Sequence, residues 1–319
     1  MATLITGGTG FIAAEVARLL VSRGETDLTV FDIDDSPRRL DEIAGKVRMV
    51  RGDVGNFSHV LEAVRDSSPE VIYHLAGMLS LGCEADPHSS IRVNALGTYH
   101  VLEAARLFGV GKVIFSSSIG TYGSGITTDA MDDLTLQRPL LVYGACKLFG
   151  EHLGLFYRRK YGLDYRGLRY PPVVGPGVRS LGVTQYISWA IEESGRGNPF
   201  AIWVRPDTRA TVLYFKDIAR ATVELAGAPA QDLRMINYLL SGPVPTAGEV
   251  AAAVRDRVPG ARIEFAVDPE RQALAEHAGL RIDDRCAREE WGWKPVYGLG
   301  EMVDDFLREL RENPRRYGG

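Results

Sequence analysis

The chain has 319 residues, of which 45% are hydrophobic and 24% charged, with a formal net charge of −4. That length and composition suit a soluble globular protein built as one large domain or two intimate ones. The negative balance argues against nucleic acid or an anionic membrane as the main partner. No apolar run reaches bilayer length, and Met1 leads straight into a core strand, so neither a spanning helix nor a leader peptide is expected. The three cysteines, Cys83, Cys146 and Cys286, are scattered without metal-ligand spacing. They read as reduced thiols of a cytoplasmic protein.

In chain order, Met1–Ile5 is a short apolar strand, followed by the glycine-rich turn Thr6-Gly7-Gly8-Thr9-Gly10 and an apolar-periodic segment from Phe11 and Ile12 through Val16, Leu19 and Leu20. Strand, glycine turn and helix in that order form a phosphate-binding unit. Gly7 permits the tight turn and Gly10 lets a phosphate approach the backbone, while the helix offers free N–H groups at its positive end. Ala13 stands where a third glycine is frequent. Leu28–Asp32 reads as a second strand, ending in an acid 22 residues beyond Gly10. A carboxylate there accepts hydrogen bonds from ribose hydroxyls and repels a 2′-phosphate. The strand Val47–Val54 carries Asp53 within reach of an adenine amine. These features point to NAD rather than NADP, with Arg38 and Arg39 read as a solvated loop.

Further strands follow at Val71–Gly77, Lys112–Ser116 and Tyr165–Tyr170, separated by helical segments at about Pro87–Phe108 and Tyr143–Tyr161, the latter preceded by a loop from Gly120 to Arg138. Alternating strands and helices mark a parallel sheet with crossover helices. Beyond Pro171-Pro172, helices (Thr184–Glu193, Lys216–Ala226, Ala247–Val258, Leu299–Glu312) mix with short strands (Thr211–Phe215, Met235–Leu240, Ile263–Val267). This half is expected to form a smaller α/β region over the carboxyl ends of the sheet, with the tail Asn313–Gly319 frayed. The Tyr143–Tyr161 helix is apolar over more than one face, which predicts a homodimer through it and the Pro87–Phe108 helix.

The chemistry centres on Tyr143-Gly144-Ala145-Cys146-Lys147, which sets a phenol and an ammonium four residues apart on one helix face. A neighbouring cation favours the phenolate, lowering the tyrosine pKa toward a general base. Ser116-Ser117-Ser118 ends the preceding strand, where a hydroxyl can hold the oxygen that the tyrosine deprotonates.

With these residues the chain resembles the extended short-chain dehydrogenase/reductases, the NAD-dependent epimerase/dehydratase group, over essentially its whole length. The resemblance implies a Rossmann-type doubly wound parallel sheet. Residues 1–170 would bind NAD and carry the catalytic set, and residues 171–319 would mainly bind substrate. It implies Ser118, Tyr143 and Lys147 as the triad, with Asn94 supporting a proton relay. It further implies Ile33, Val54, Leu75-Ala76-Gly77, Ser116 and Tyr170 around the cofactor, beside Gly7, Gly10, Phe11, Ile12, Asp32 and Asp53. A sharper likeness is to the short-chain L-threonine 3-dehydrogenases. It is carried by His74–Ser80, Leu168-Arg169-Tyr170-Pro171, Asp207-Thr208-Arg209, and Ile282-Asp283-Asp284 with Glu290-Trp291-Gly292-Trp293. Oxidation of L-threonine to 2-amino-3-oxobutanoate is implied, with Ser80, Ser118, Tyr143, Thr184 and Gln185 near the substrate.

The chain departs from that pattern at Val183 and Gln185, where a threonine and an acid are usual, and at Gly175–Arg179, which adds a cation. The first alternative is a nucleotide-sugar 4-epimerase or dehydratase with retained NAD, although Tyr170-Pro171-Pro172-Val173 lacks the asparagine that holds a nucleotide diphosphate. Arg179 favours a carboxylate, so a dehydrogenase of another small hydroxy acid is a further alternative. His74 is expected to be structural. His59, His88, His100, His152 and His277 show no ligand spacing, and no metal is proposed. Cys146 is expected to be inert, and Glu289–Trp293 a packed helix end.

Overall fold

The computed structural model describes all residues except 124, 127–129, 180–181, 277–280 and 319. The histidine at 277 and parts of the Gly120–Arg138 loop therefore lie outside the described residues. The first half runs β1 (Thr3–Thr6), α1 (Phe11–Ser22), β2 (Leu28–Asp32), β3 (Arg48–Arg51), α2 (Phe57–Ser67), β4 (Val71–His74), α3 (Ser80–Ala85), α4 (Pro87–Ser90), α5 (Gly97–Leu107) and β5 (Lys112–Ser118). It continues through β6 (Ala130–Met131), α6 (Val142–Tyr161) and β7 (Asp164–Tyr170). The second half adds β8 (Val173–Val174), α7 (Tyr186–Gly195), β9 (Phe200–Ile202), β10 (Leu213–Tyr214), α8 (Phe215–Gly227) and β11 (Asn237–Leu239). It closes with α9 (Ala247–Arg257), β12 (Ile263–Phe265), α10 (Pro269–Glu276), β13 (Arg281–Ile282), α11 (Arg285–Trp291) and α12 (Leu299–Glu312).

Seven of the strands form one parallel sheet in the order β11-β7-β5-β4-β1-β2-β3. Its inner strands β1, β2 and β4 are buried on both faces, as a sheet covered by helices on both sides requires. Leu4 joins Phe31, Val101 and Phe115 in one core, while its neighbour Ile5 joins Ala13, Val16, Val30 and Ile114 in another. The chain reverses its direction of winding between β1 and β4, so a crevice opens at their carboxyl ends, where open sheets of this kind bind ligands. Thr6 lies level with Phe31 and His74, and Ser118 level with Tyr170. The glycine turn, the end of β4 and the end of β5 therefore meet at one edge.

The segment Met235–Leu240 supplies more than a short strand of the second half, because Asn237–Leu239 pairs with Gly167–Arg169 of β7 and extends the main sheet. A Cβ on Gly167 would fall 1.9 Å from Asn237 Oδ1, so glycine makes that pairing possible. Helix α8 returns to the first half as well, packing Ala219, Val223 and Ala226 against the α1 side of the sheet. The rest of the second half has its own core of Ile187, Ile191, Ile202, Val250, Val254 and Phe306.

Three features differ from the sequence reading. The helix expected at Pro87–Phe108 is interrupted by a π-helical turn over Ile91–Leu96 that contains Asn94. The loop around Arg39 is anchored, since its guanidinium donates to the carbonyls of Thr9 and Gly177. The tail is docked rather than frayed, with Tyr317 only 3% exposed and its hydroxyl donating to Glu309 at 2.9 Å. Among the described residues, no helix is long and apolar enough to cross a membrane.

Candidate cofactor and catalytic site

The glycine turn is shaped by contacts that exclude side chains. Gly7 has φ +69°, and a Cβ on it would lie 2.6 Å from the Ala76 Cα. A Cβ on Gly8 would fall 2.3 Å from the Val30 side chain, and one on Gly10 2.8 Å from the Gly7 carbonyl oxygen. Gly7 N–H donates to Phe31 at 2.8 Å and Gly10 N–H to Gly7 at 2.9 Å, which closes the turn. Helix α1 then starts with no side-chain cap and no acid in its first turn. Its amino end is a positive, uncovered site suited to a pyrophosphate. Phe11 stacks on Phe215 at 5.3 Å between centroids, and Ile12 lines the adjoining cavity.

Asp32 stands at the end of β2, where its Oδ2 accepts from Thr9 N–H at 3.0 Å and Thr9 Oγ1 at 2.8 Å. This ties the acid to the glycine turn, a role for Thr9 that spacing did not reveal. Ile33 beside it is 63% exposed, open to an adenine face. Asp53 is committed elsewhere: Oδ1 accepts from Gly55 N–H at 2.8 Å and Oδ2 pairs with Arg92 at 2.5 Å. The pairing with Arg92 holds its carboxyl below the ordinary range against the opposing effect of burial. Val54 is buried against Gly97.

The segment after β4 is set by Asn94, which is 2% exposed. Its Oδ1 accepts from Met78 N–H at 2.9 Å, and its amide donates to the Met78 carbonyl at 3.2 Å. That fixes Leu75-Ala76-Gly77 beside the turn, with Leu75 N–H donating to Thr6 at 3.2 Å. Gly77 packs between Asn94 and Lys147, since a Cβ there would lie 2.9 Å from Asn94 Oδ1 and 3.4 Å from Lys147 Nζ. His74 is structural: Nδ1 pairs with Thr6 Oγ1 at 2.8 Å and Nε2 with Thr98 Oγ1 at 3.1 Å. Its burial pulls its pKa down to about 3.

Helix α6 carries Tyr143 and Lys147 to the carboxyl edge of β5. Lys147 Nζ donates to the Ser116 carbonyl at 2.7 Å and lies 5.7 Å from the Tyr143 ring centroid. Burial pulls Lys147 down to about 8. Tyr143 is hydrogen-bonded to Ser118, whose Oγ also accepts from Gly120 N–H at 3.0 Å. The expectation of a lowered tyrosine pKa is corrected here. Burial pushes Tyr143 up to about 12, with the Ser118 hydrogen bond opposing that rise. The physical reason is that the ammonium is turned toward Ser116. Gly144, passed over in the sequence, is what seats the helix, because a Cβ on it would fall 1.9 Å from the Gly120 carbonyl oxygen. A glycine inside a helix costs about 1 kcal/mol against alanine, so its presence there was the available signal. Cys146 is buried beside Ser90 with its thiol raised by burial, in keeping with an inert role.

These groups open into a cavity of about 290 Å³ lined by Ser80, Ser118, Tyr143, Tyr170, Thr184 and Gln185 among mainly apolar residues. Tyr170 is anchored by a 2.7 Å hydrogen bond to Thr222. Tyr122, Leu140, Val178 and Leu274 also line the cavity and were not singled out in the sequence. Arg179 does not reach it. Its guanidinium pairs with the buried Glu192 at 2.7 Å and donates to the Tyr317 carbonyl at 2.7 Å. The Glu289–Trp293 stretch is a packed helix end, with Trp293 1% exposed and Glu290 accepting from Tyr238 at 2.5 Å.

Comparison with known proteins agrees with this geometry. The model of the NAD dependent epimerase/dehydratase family matches residues 3–238. A mitochondrial L-threonine 3-dehydrogenase of Bos taurus is 33% identical over 306 residues, 95% of this chain and 81% of that protein. The holo form of a GalE-like L-threonine dehydrogenase from Cupriavidus necator is 32% identical with a TM-score of 0.90, covering 97% of this chain and 100% of the other. A monomeric L-threonine 3-dehydrogenase from a metagenome is 27% identical with a TM-score of 0.89, covering 97% and 99%.

Proposed function

The chain belongs to the NAD dependent epimerase/dehydratase family and is an NAD-dependent oxidoreductase, and from that premise we propose that it oxidises the Cβ hydroxyl of L-threonine to give 2-amino-3-oxobutanoate. The observation that carries this reading is the convergence of Ser118, Tyr143, Ser80 and Thr184 on one small cavity at the carboxyl edge of the sheet.

The residues present fit the cofactor. The uncapped end of α1 and the Gly7–Gly10 turn would receive the pyrophosphate, Asp32 would hold the adenosine ribose and Lys147 the second ribose, with Ile33, Val54, Leu75, Ala76, Gly77, Ser116 and Tyr170 around them. Bound NAD+ supplies the acceptor for the Cβ hydride and a positive charge beside the phenol. Ser118 positions the substrate hydroxyl; Tyr143 first gives up its own phenolic proton to the relay on the Lys147 side and then, as the phenolate, accepts the hydroxyl proton and returns to the neutral phenol, the positive charge of the bound cofactor favouring the ionised form beforehand. Asn94 holds the Met78 segment in place and stands next to Lys147 for a proton relay.

A nucleotide-sugar substrate is disfavoured by the same cavity. Pro171, Pro172 and Val173 form its wall after β7, and none of its described lining residues is charged, so a diphosphate finds no cation. The test is absorbance of reduced nicotinamide with L-threonine, L-serine and UDP-glucose, each with NAD+ and NADP+. A rise with L-threonine and NAD+, weak with NADP+, supports the reading. Silence with threonine beside cofactor that stays bound through gel filtration supports a retained-NAD epimerase instead.

A homodimer is part of this proposal. Phe149, Leu155 and Phe156 on α6 and Leu96, Tyr99 and Leu107 across the Ile91–Leu107 stretch are exposed. One of the similar structures is monomeric, and sedimentation of the purified protein decides between the two states. A cytoplasmic location is proposed from the free thiols of Cys83, Cys146 and Cys286, with cell fractionation as its check.

A further inference from the structure

A single guanidinium joins the cofactor turn to the wall of the substrate cavity. Arg39 Nη1 donates to the Thr9 carbonyl at 3.4 Å, and its Nη2 donates to the Gly177 carbonyl. Thr9 belongs to the glycine turn, where its N–H and hydroxyl hold Asp32. Gly177 stands one residue before Val178, which is 8% exposed and lines the cavity. The Val178 carbonyl accepts from Trp189 Nε1 at 2.9 Å, so the connection continues into α7. Both ends are fixed. Leu40 is buried in a core of the first half, and Arg18 of α1 donates to the Arg39 carbonyl at 2.5 Å. Gly177 N–H donates to the buried Glu192 at 2.9 Å, and a Cβ on Gly177 would lie 2.9 Å from Tyr317 Cδ1 of the tail. Arg316 pairs with Glu42 and closes the tail over the same junction.

The charge on Arg39 is uncompensated. Among the described residues no carboxylate pairs with it, and its Nε is buried without a hydrogen-bond partner. Burial lowers its pKa, and Arg38, Arg179 and Arg18 push the same way. A buried cation without a counter-ion is costly. An anion held at the Gly7–Gly10 turn lowers that cost and favours the arrangement in which Arg39 holds both carbonyls. We propose that Arg39 is a positioning residue that couples the two sites: cofactor bound at the glycine turn firms the Gly177–Val178 wall and prepares the cavity for substrate. This rests on the reading of the turn as the pyrophosphate site and of the cavity as a dehydrogenase substrate site.

The experiment follows hydrogen–deuterium exchange at the Gly177, Val178 and Arg179 amides with and without NAD+ in the wild type, Arg39→Lys and Arg39→Met, beside steady-state kinetics with L-threonine. Lysine keeps the charge, but its single nitrogen cannot span two carbonyls; methionine removes both the charge and the bridge. In the wild type NAD+ slows exchange at these amides about tenfold. Both variants lose that slowing and keep the slowing at Gly7–Ile12. Arg39→Lys binds NAD+ within about threefold of wild type, and its KM for L-threonine rises about tenfold with kcat nearly unchanged. The lysine variant decides the question if Arg39→Met does not fold. An Arg39 that is merely structural speeds exchange equally with and without cofactor, and an undiminished NAD+ effect in Arg39→Lys overturns the proposal. So does a wild type in which NAD+ leaves the three amides unchanged. Absence of turnover with L-threonine in every protein defeats the substrate reading instead, and the exchange ratio still decides the coupling.

Discussion

The carbonyl oxygen of Gly120 occupies the space into which a side chain on Gly144 would grow, 1.9 Å from the position of its Cβ. The turn after β5 and the first turn of α6 are therefore in backbone contact, and that contact sets Ser118 against Tyr143. Gly144→Ala separates them. The expected result is a fall of about a hundredfold in kcat from a displacement near 1 Å, with the dissociation constant for NAD+ within about threefold of wild type. Steady-state kinetics with fluorescence titration of the cofactor check this, and an alanine variant of normal kcat contradicts the placement.

Tyr143→Phe removes the proton acceptor and keeps the ring. The expected loss is about 10²- to 10⁴-fold in kcat, the usual contribution of a positioned acid or base. The lost hydrogen bond to Ser118 lowers stability by about 1 kcal/mol, and NAD+ binding is unchanged. Retained turnover assigns the proton transfer to another group.

His74 carries a pH signature. Its pKa is about 3 in the folded chain against 6.5 when unperturbed, so between those values the unfolded chain binds the extra proton. Stability therefore falls as pH drops from 6.5 toward 3, with a slope approaching 1.4 kcal/mol per pH unit, roughly, from this group alone. Asp133 opposes it, because burial raises its pKa to about 6 and the folded chain binds more protons between pH 3.8 and 6. Denaturant unfolding of wild type and His74→Gln at pH 7, 6, 5 and 4 isolates the histidine. The variant is expected to lose less stability than wild type over that range, and parallel curves contradict the argument.

Much of this molecule was legible where the signal is local. The Gly7–Gly10 turn, Asp32 and the Tyr143/Lys147 spacing each lie within one strand-turn-helix unit, and the structure brings them to one edge. What escaped notice depends on contacts distant in sequence. Asn237–Leu239 joins β7 through a three-residue pairing that leaves no periodicity to detect. Arg92 captures Asp53 and Arg39 reaches Gly177 across separations that no spacing rule encodes. The same is true of Arg179, whose charge suggested a substrate carboxylate until Glu192 proved to hold it. The π-helical turn at Asn94 was hidden because its residues are ordinary helix formers. The tyrosine pKa is not legible from an i, i+4 spacing, which gives proximity but not the direction of the ammonium.

The most direct measurement uses L-threonine carrying deuterium at Cβ, incubated with NAD+ and the purified protein, with the reduced cofactor examined by mass spectrometry. Oxidation at Cβ predicts reduced nicotinamide one mass unit heavier, together with a slowed rate wherever bond cleavage limits turnover. Reduced cofactor without the label, or none at all, contradicts threonine oxidation at this site.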